Sequence, residues 1–151
     1  MSHFLAPEPP NPNPKRAGSS YLFRARDFCF MIDCRPGTLL RLTQAKISAA
    51  EIDTLFFTHF HLDHYADFGQ FVTNRWIRGN RRPLKVYGPT GLKKLVDLII
   101  ASHQLDLEYR QKILNSKPML PVIETIEIEE GFVFEYKRSD CGAVRCVSLP
   151  D

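Results

Sequence analysis

Thr54-Leu55-Phe56-Phe57-Thr58-His59-Phe60-His61-Leu62-Asp63-His64 joins a short apolar, β-rich run to a hexapeptide holding three of the chain's five histidines. The first half reads as a buried strand. The second begins at its carboxyl end, where open α/β architectures place their sites. Neutral imidazole nitrogen and hard carboxylate oxygen together suit zinc and similar divalent ions. In an extended backbone, residues two apart project to the same side, so His59 and His61 can converge on one ion. Asp63 and His64 are neighbours that point differently, and they can serve a second ion nearby. A lone histidine usually packs or hydrates without function; the interleaving with an aspartate is what points to metal. The other two histidines, His3 near the start and His103 at a helix end, are not expected to be ligands.

Upstream, Tyr21-Leu22-Phe23 and Phe28-Cys29-Phe30-Met31-Ile32 are β-rich runs that read as a hairpin. The second lacks clean alternation and is expected to be covered on both faces. It ends in a turn at Asp33-Cys34-Arg35-Pro36-Gly37. A short helix is expected over 38–46, and Ser48-Ala49-Ala50-Glu51 has the capping-box pattern of a helical start. Downstream, Phe68, Phe71, Val72 and Trp76 fall at helical spacing and form an apolar stripe suited to core packing. Leu84-Lys85-Val86-Tyr87 is a strand stopped by Gly88-Pro89, and Leu92, Leu95, Val96, Ile99 and Ile100 mark an amphipathic helix. One more helix is expected over 105–114, then strands over roughly 122–129, 132–137 and 143–149. The class is α/β (α+β), with helices packed on a sheet.

At 151 residues the chain has the size of one domain, with 44% hydrophobic and 25% charged residues and a mild net charge of +3. That charge permits an anionic substrate without indicating nucleic-acid binding by itself. The four cysteines, Cys29, Cys34, Cys141 and Cys146, form no CxxC pair, so a cysteine metal site or a disulfide scaffold is not expected. No signal peptide and no membrane-spanning stretch is visible, which gives a cytoplasmic expectation with no membrane partner. Residues 7–14 carry five prolines. The division is therefore a proline-rich extended segment over 1–18 and a folded domain over 19–151.

Thr58 through His64 resembles the HxHxDH signature of the metallo-β-lactamase superfamily. Three further segments resemble its ribonuclease Z and arylsulfatase-like branch: 16–22 (Arg16 to Leu22), 33–38 (Asp33 to Thr38) and 86–91 (Val86 to Gly91). The resemblance implies an αββα sandwich, here only its N-terminal half, and a hydrolase with a two-zinc site. Carried over by position, His59 and His61 hold the first ion, and Asp63 and His64 the second. Asp63 also orients or deprotonates the catalytic water. Two cations lower the pKa of a shared water and stabilise charge on a phosphoryl or acyl oxygen. The implied substrate is a phosphodiester, as in RNA, or another ester. Asp33 is expected to order the loop rather than to be a ligand.

Three features depart from the pattern. Phe4-Leu5-Ala6-Pro7-Glu8-Pro9-Pro10 occupies the place of an opening strand and glycine-rich turn. Arg35 replaces the usual glycine after Asp-Cys, with a displaced loop as the expected result. No histidine follows His103, so the later ligands are missing and the chain is expected to stop just short of the next one. The alternative reading is a truncated, catalytically inactive remnant or metal-binding fragment, with an apolar sheet face left for another chain, such as a homo-oligomer partner, to cover. A third reading takes Arg75, Arg78, Arg81, Arg82 and Lys85 around Trp76, with Lys93 and Lys94, as a phosphate-contacting patch. Its bland counterpart is a solvated loop. Asp67 reads either as a support for the metal ligands or as a helix-start charge.

Overall fold

A computed structural model describes residues 20–25, 28–113, 121–136 and 144–147. The proline-rich segment 1–18, with the departure at 4–10, lies outside the described residues. So does the end of the chain.

Strands β1 (Tyr21–Ala25) and β2 (Phe28–Ile32) form the expected antiparallel hairpin, with Tyr21 opposite Ile32 and Ala25 opposite Phe28. Strands β3 (Thr54–Phe56), β4 (Leu84–Gly88) and β5 (Ile123–Glu127) then add in parallel, giving a five-stranded sheet in the order β1-β2-β3-β4-β5. Parallel neighbours need crossovers, and helices supply them. Between β2 and β3 run α1 (Thr38–Gln44) and a 3-10 turn (Ala49–Glu51). Between β3 and β4 run α2 (Leu62–Tyr65) and α3 (Phe68–Ile77). Between β4 and β5 run α4 (Leu92–Ser102) and α5 (Gln104–Ile113). The capping box forms as read: Ala50 donates its N–H to the Ser48 hydroxyl, and Ser48 donates its own to Glu51.

The sheet has two unlike faces. On one, register places Met31, Leu55 and Val86 side by side, all fully buried. They belong to a single core cluster with Phe68, Phe71 and Val72 of α3 and Leu92 and Val96 of α4. The apolar stripe thus does what its spacing implied. Helix α3 approaches α4 closely because Gly69 faces the His103 ring, where any side chain would collide. On the other face an aromatic ladder crosses the strands. Phe23 stacks on Phe30 at 4.8 Å between ring centroids, Phe30 meets Phe56 edge-on at 5.6 Å, and Phe56 stacks on Tyr87 at 4.8 Å. Strands β6 (Val133–Tyr136) and β7 (Val144–Val147) form a second, antiparallel sheet. Phe134 of β6 inserts among Phe28, Phe56 and Tyr87. The aromatic face is therefore partly covered from within the chain, where sequence reasoning expected it to be open. Among the described residues no helix is long and apolar enough to cross a membrane.

The core gives a direct test. Phe68→Ala leaves a cavity under the sheet and should cost about 3–5 kcal/mol in urea unfolding. Leu105→Ala, at an exposed site on α5, should stay within about 0.5 kcal/mol.

Candidate metal centre

The site lies at the carboxyl ends of the adjacent parallel strands β2 and β3, and its keystone is Asp33. The sheet ladder continues one step past the strands, with Asp33 donating its N–H to Phe56 O and Phe57 to Tyr87 O, both at 2.8 Å. Asp33 then turns with φ 58°, a left-handed conformation that aspartate tolerates better than most residues. This aims a buried carboxylate across the end of β3. Its Oδ1 accepts from the Thr58 N–H at 3.0 Å, and both its oxygens accept from the Thr58 hydroxyl. Its Oδ2 lies 2.8 Å from His64 Nδ1. An ionised carboxylate only accepts, so Nδ1 carries the proton and the lone pair of Nε2 points outward. That is how a carboxylate sets a histidine up as a ligand. Asp33 orders the loop, as its place after a strand implied.

The motif is not wholly a loop. Thr58 to His61 is irregular, and Leu62–Tyr65 is a single helical turn with an extended His61 (φ −68°, ψ 142°) before it. His59 Nε2 and His61 Nδ1 come within 3.0 Å of each other, the convergence that the two-residue spacing predicts. Two nitrogens bound tetrahedrally at about 2.0–2.1 Å from one zinc ion lie about 3.3 Å apart. The His59 ring also lies 3.8 Å from that of His64, centroid to centroid, with the ring planes tilted by 52°. Burial of the His59 ring lowers its pKa, and the neighbouring His64 and His61 push it the same way. His59 is thereby favoured in the neutral, ligating form.

Asp63 and His64 meet a different partner. His64 Nε2 and Asp63 Oδ2 stand 3.6 Å apart, close to the edge of a zinc coordination polyhedron. The Arg35 guanidinium reaches both. Its Nη1 pairs with Asp63 Oδ2 at 2.9 Å, and its Nη2 hydrogen-bonds His64 Nε2. The Nε of Arg35 is buried without a partner among the described residues. Within the 33–37 turn Asp33 and Gly37 take left-handed conformations and Arg35 does not, and Cys34 donates to His64 O at 2.7 Å. Among the described residues no group of three or more His, Cys, Asp or Glu side chains is arranged to hold one ion. His59 Nε2 and His61 Nδ1 hydrogen-bond to each other, so an ion held by this pair takes the place of that bond, and the Asp63–His64 pair is spanned by Arg35.

Other candidates fall into place. Asp67 caps neither metal ligand; it accepts from Gly37 N–H at 2.9 Å and donates its own N–H to Cys34 O, strapping the 33–37 turn to the start of α3. His103 caps α4 with Nδ1 near Ile99 O, away from the motif. Much of the basic cluster is structural. Arg75 is buried, giving Nε to Ile52 O, Nη1 to Arg82 O and Nη2 to Asp53. Arg81 covers Trp76 at 5.6 Å and donates to its carbonyl. Trp76 is only 2% exposed and cannot serve as a stacking platform for a base.

The family model for the metallo-beta-lactamase superfamily matches residues 13–137. The chain belongs to the metallo-beta-lactamase superfamily. It is 34% identical over 129 residues to a ribonuclease Z of Mycobacterium sp. (strain KMS), covering 84% of this chain and 45% of that protein. It is 36% identical over 121 residues to the ribonuclease Z of Mycobacterium avium (strain 104), covering 76% of this chain and 43% of that protein. The chain thus spans less than half the length of these curated relatives. Among solved structures, the short form of human tRNase Z superposes with a TM-score of 0.62 at 21% identity, over 90% of this chain and 54% of that one. The superfamily protein YhfI of Bacillus subtilis gives 0.56 at 20% identity, over 89% and 52%. These likenesses show the superfamily fold.

If Asp33 holds the motif in place, Asp33→Ala should cost about 1–3 kcal/mol by leaving the Thr58 and His64 donors unpaired. Zinc affinity should fall about 10- to 100-fold alongside it. Urea unfolding and zinc titration measure the two effects.

Proposed function

We propose that the chain carries the metal-binding loop of a metal-dependent hydrolase acting on phosphodiester bonds of the RNA type, or on a related ester. The observation that carries this is the approach of His59 Nε2 to His61 Nδ1 at 3.0 Å, at the carboxyl end of a parallel strand. The ribonuclease Z relatives support the RNA-type substrate. His59 and His61 are the proposed ligands of a zinc ion, with Asp63 and His64 the ligands of a second in the complete family site. A bound divalent ion lowers the pKa of water and polarises the ester oxygen. The chain's own groups do the rest. Asp33 pairs with His64 Nδ1, burial favours the neutral form of His59, and the Asp63 carboxylate, paired with Arg35, is the group proposed to orient or deprotonate a water. Arg35 stands between the proposed ligands of the second ion. A cytoplasmic location belongs to the same proposal.

A second reading has its own observation. With Arg35 on Asp63 and His64, and no three-donor group among the described residues, a metal-binding but inactive remnant is the alternative. His61→Ala should lose the bound zinc, read by elemental analysis after desalting. Unchanged zinc content in that variant contradicts the assignment. Zinc-dependent cleavage of bis(4-nitrophenyl) phosphate that vanishes in His61→Ala supports the hydrolase; zinc binding without turnover selects the remnant.

A further inference from the structure

The superfamily pattern calls for a cation between Asp63 and His64, and this chain supplies one covalently. Three observations meet there. The two ligating atoms keep the separation suited to an ion, 3.6 Å, rather than spreading or collapsing onto each other. Asp33 fixes His64 so that Nε2 presents a lone pair outward. Both atoms are then engaged by the two terminal nitrogens of one guanidinium, that of Arg35. A guanidinium stays protonated at any working pH and its forked donors match a carboxylate.

Arg35 is built into position as well. Its backbone N–H is held by the Ser20 hydroxyl at 3.0 Å, and its carbonyl accepts from Thr38 N–H at 3.1 Å and from the Thr38 hydroxyl at 2.6 Å. The side chain is about one-fifth exposed, and its Nε is buried with no partner among the described residues.

We propose that Arg35 is a resident cation that takes the place of the second metal ion, leaving one metal-binding half-site, at His59 and His61. This rests on the metal reading of the motif. A divalent ion entering between Asp63 and His64 must displace Arg35, losing both contacts and meeting like charge. Removing the guanidinium should open the pair to an ion.

The test is zinc titration by calorimetry of the full chain and of Arg35→Gly and Arg35→Gln, with far-UV circular dichroism to establish folding. The unaltered chain should show one zinc-binding event. Each Arg35 variant should show that event plus a second, at least tenfold tighter than any second event in the unaltered chain. Adding Asp63→Ala to Arg35→Gly should abolish the second event alone. Arg35→Gln keeps the test decisive should Arg35→Gly not fold. Two comparable zinc events in the unaltered chain, or no new event in folded Arg35 variants that retain the first, overturn the substitution of arginine for metal while leaving the metal reading intact. Absence of any zinc event dependent on His59 and His61 overturns both.

Discussion

The buried Asp33 carboxylate is the constraint on which the candidate site depends. Parallel strands β2 and β3 end side by side, and without a link across their ends the segment carrying Thr58 to His64 would be an ordinary surface loop. Asp33 makes that link to the Thr58 N–H, the Thr58 hydroxyl and His64 Nδ1. The left-handed turn it adopts costs of order 1 kcal/mol or more, and the charge-assisted contacts it gains offset that cost. Cys34 and Asp67 extend the link, tying the same turn to His64 O and to α3. The motif's geometry is thereby inherited from the sheet.

Packing explains why the sheet can bear this role. One face is sealed by the α3 and α4 side chains over Met31, Leu55 and Val86, and the other carries the aromatic ladder into which Phe134 inserts. The buried Arg75 adds a polar strut, joining Ile52 O, Asp53 and Arg82 O just before β3 and β4 begin. Its cost in desolvation is met by hydrogen bonds at all three nitrogens, so the strut rigidifies the strand starts while Asp33 fixes the strand ends.

Much of this was legible from residue order. Periodicity located β3, α3 and α4, the capping box located the 3-10 turn, and two-residue spacing foresaw the meeting of His59 and His61. Asp33 was read as a loop-ordering residue from its place after a strand. What escaped was set by tertiary placement. Arg35 lies 29 residues before His64, and nothing local says that its guanidinium folds back onto the motif. The basic cluster around Trp76 reads from sequence as a solvated loop or a phosphate surface, because a guanidinium that caps carbonyls and one that faces solvent have the same sequence signature. Asp67 likewise showed a charge at a helix start, but not the turn it straps down. The only signal for Arg35 was a departure from the family's glycine, and it was read as a backbone problem when the consequence lies in the side chain.

Asp33 holds His64 with its proton on Nδ1 and its lone pair on Nε2. A long-range proton–nitrogen correlation spectrum of the histidine rings, recorded near neutral pH, reads this directly. The expected spectrum shows a His64 ring protonated at Nδ1 and bare at Nε2, with a changed tautomer population in Asp33→Ala. A His64 ring protonated at Nε2 in the unaltered chain would contradict it.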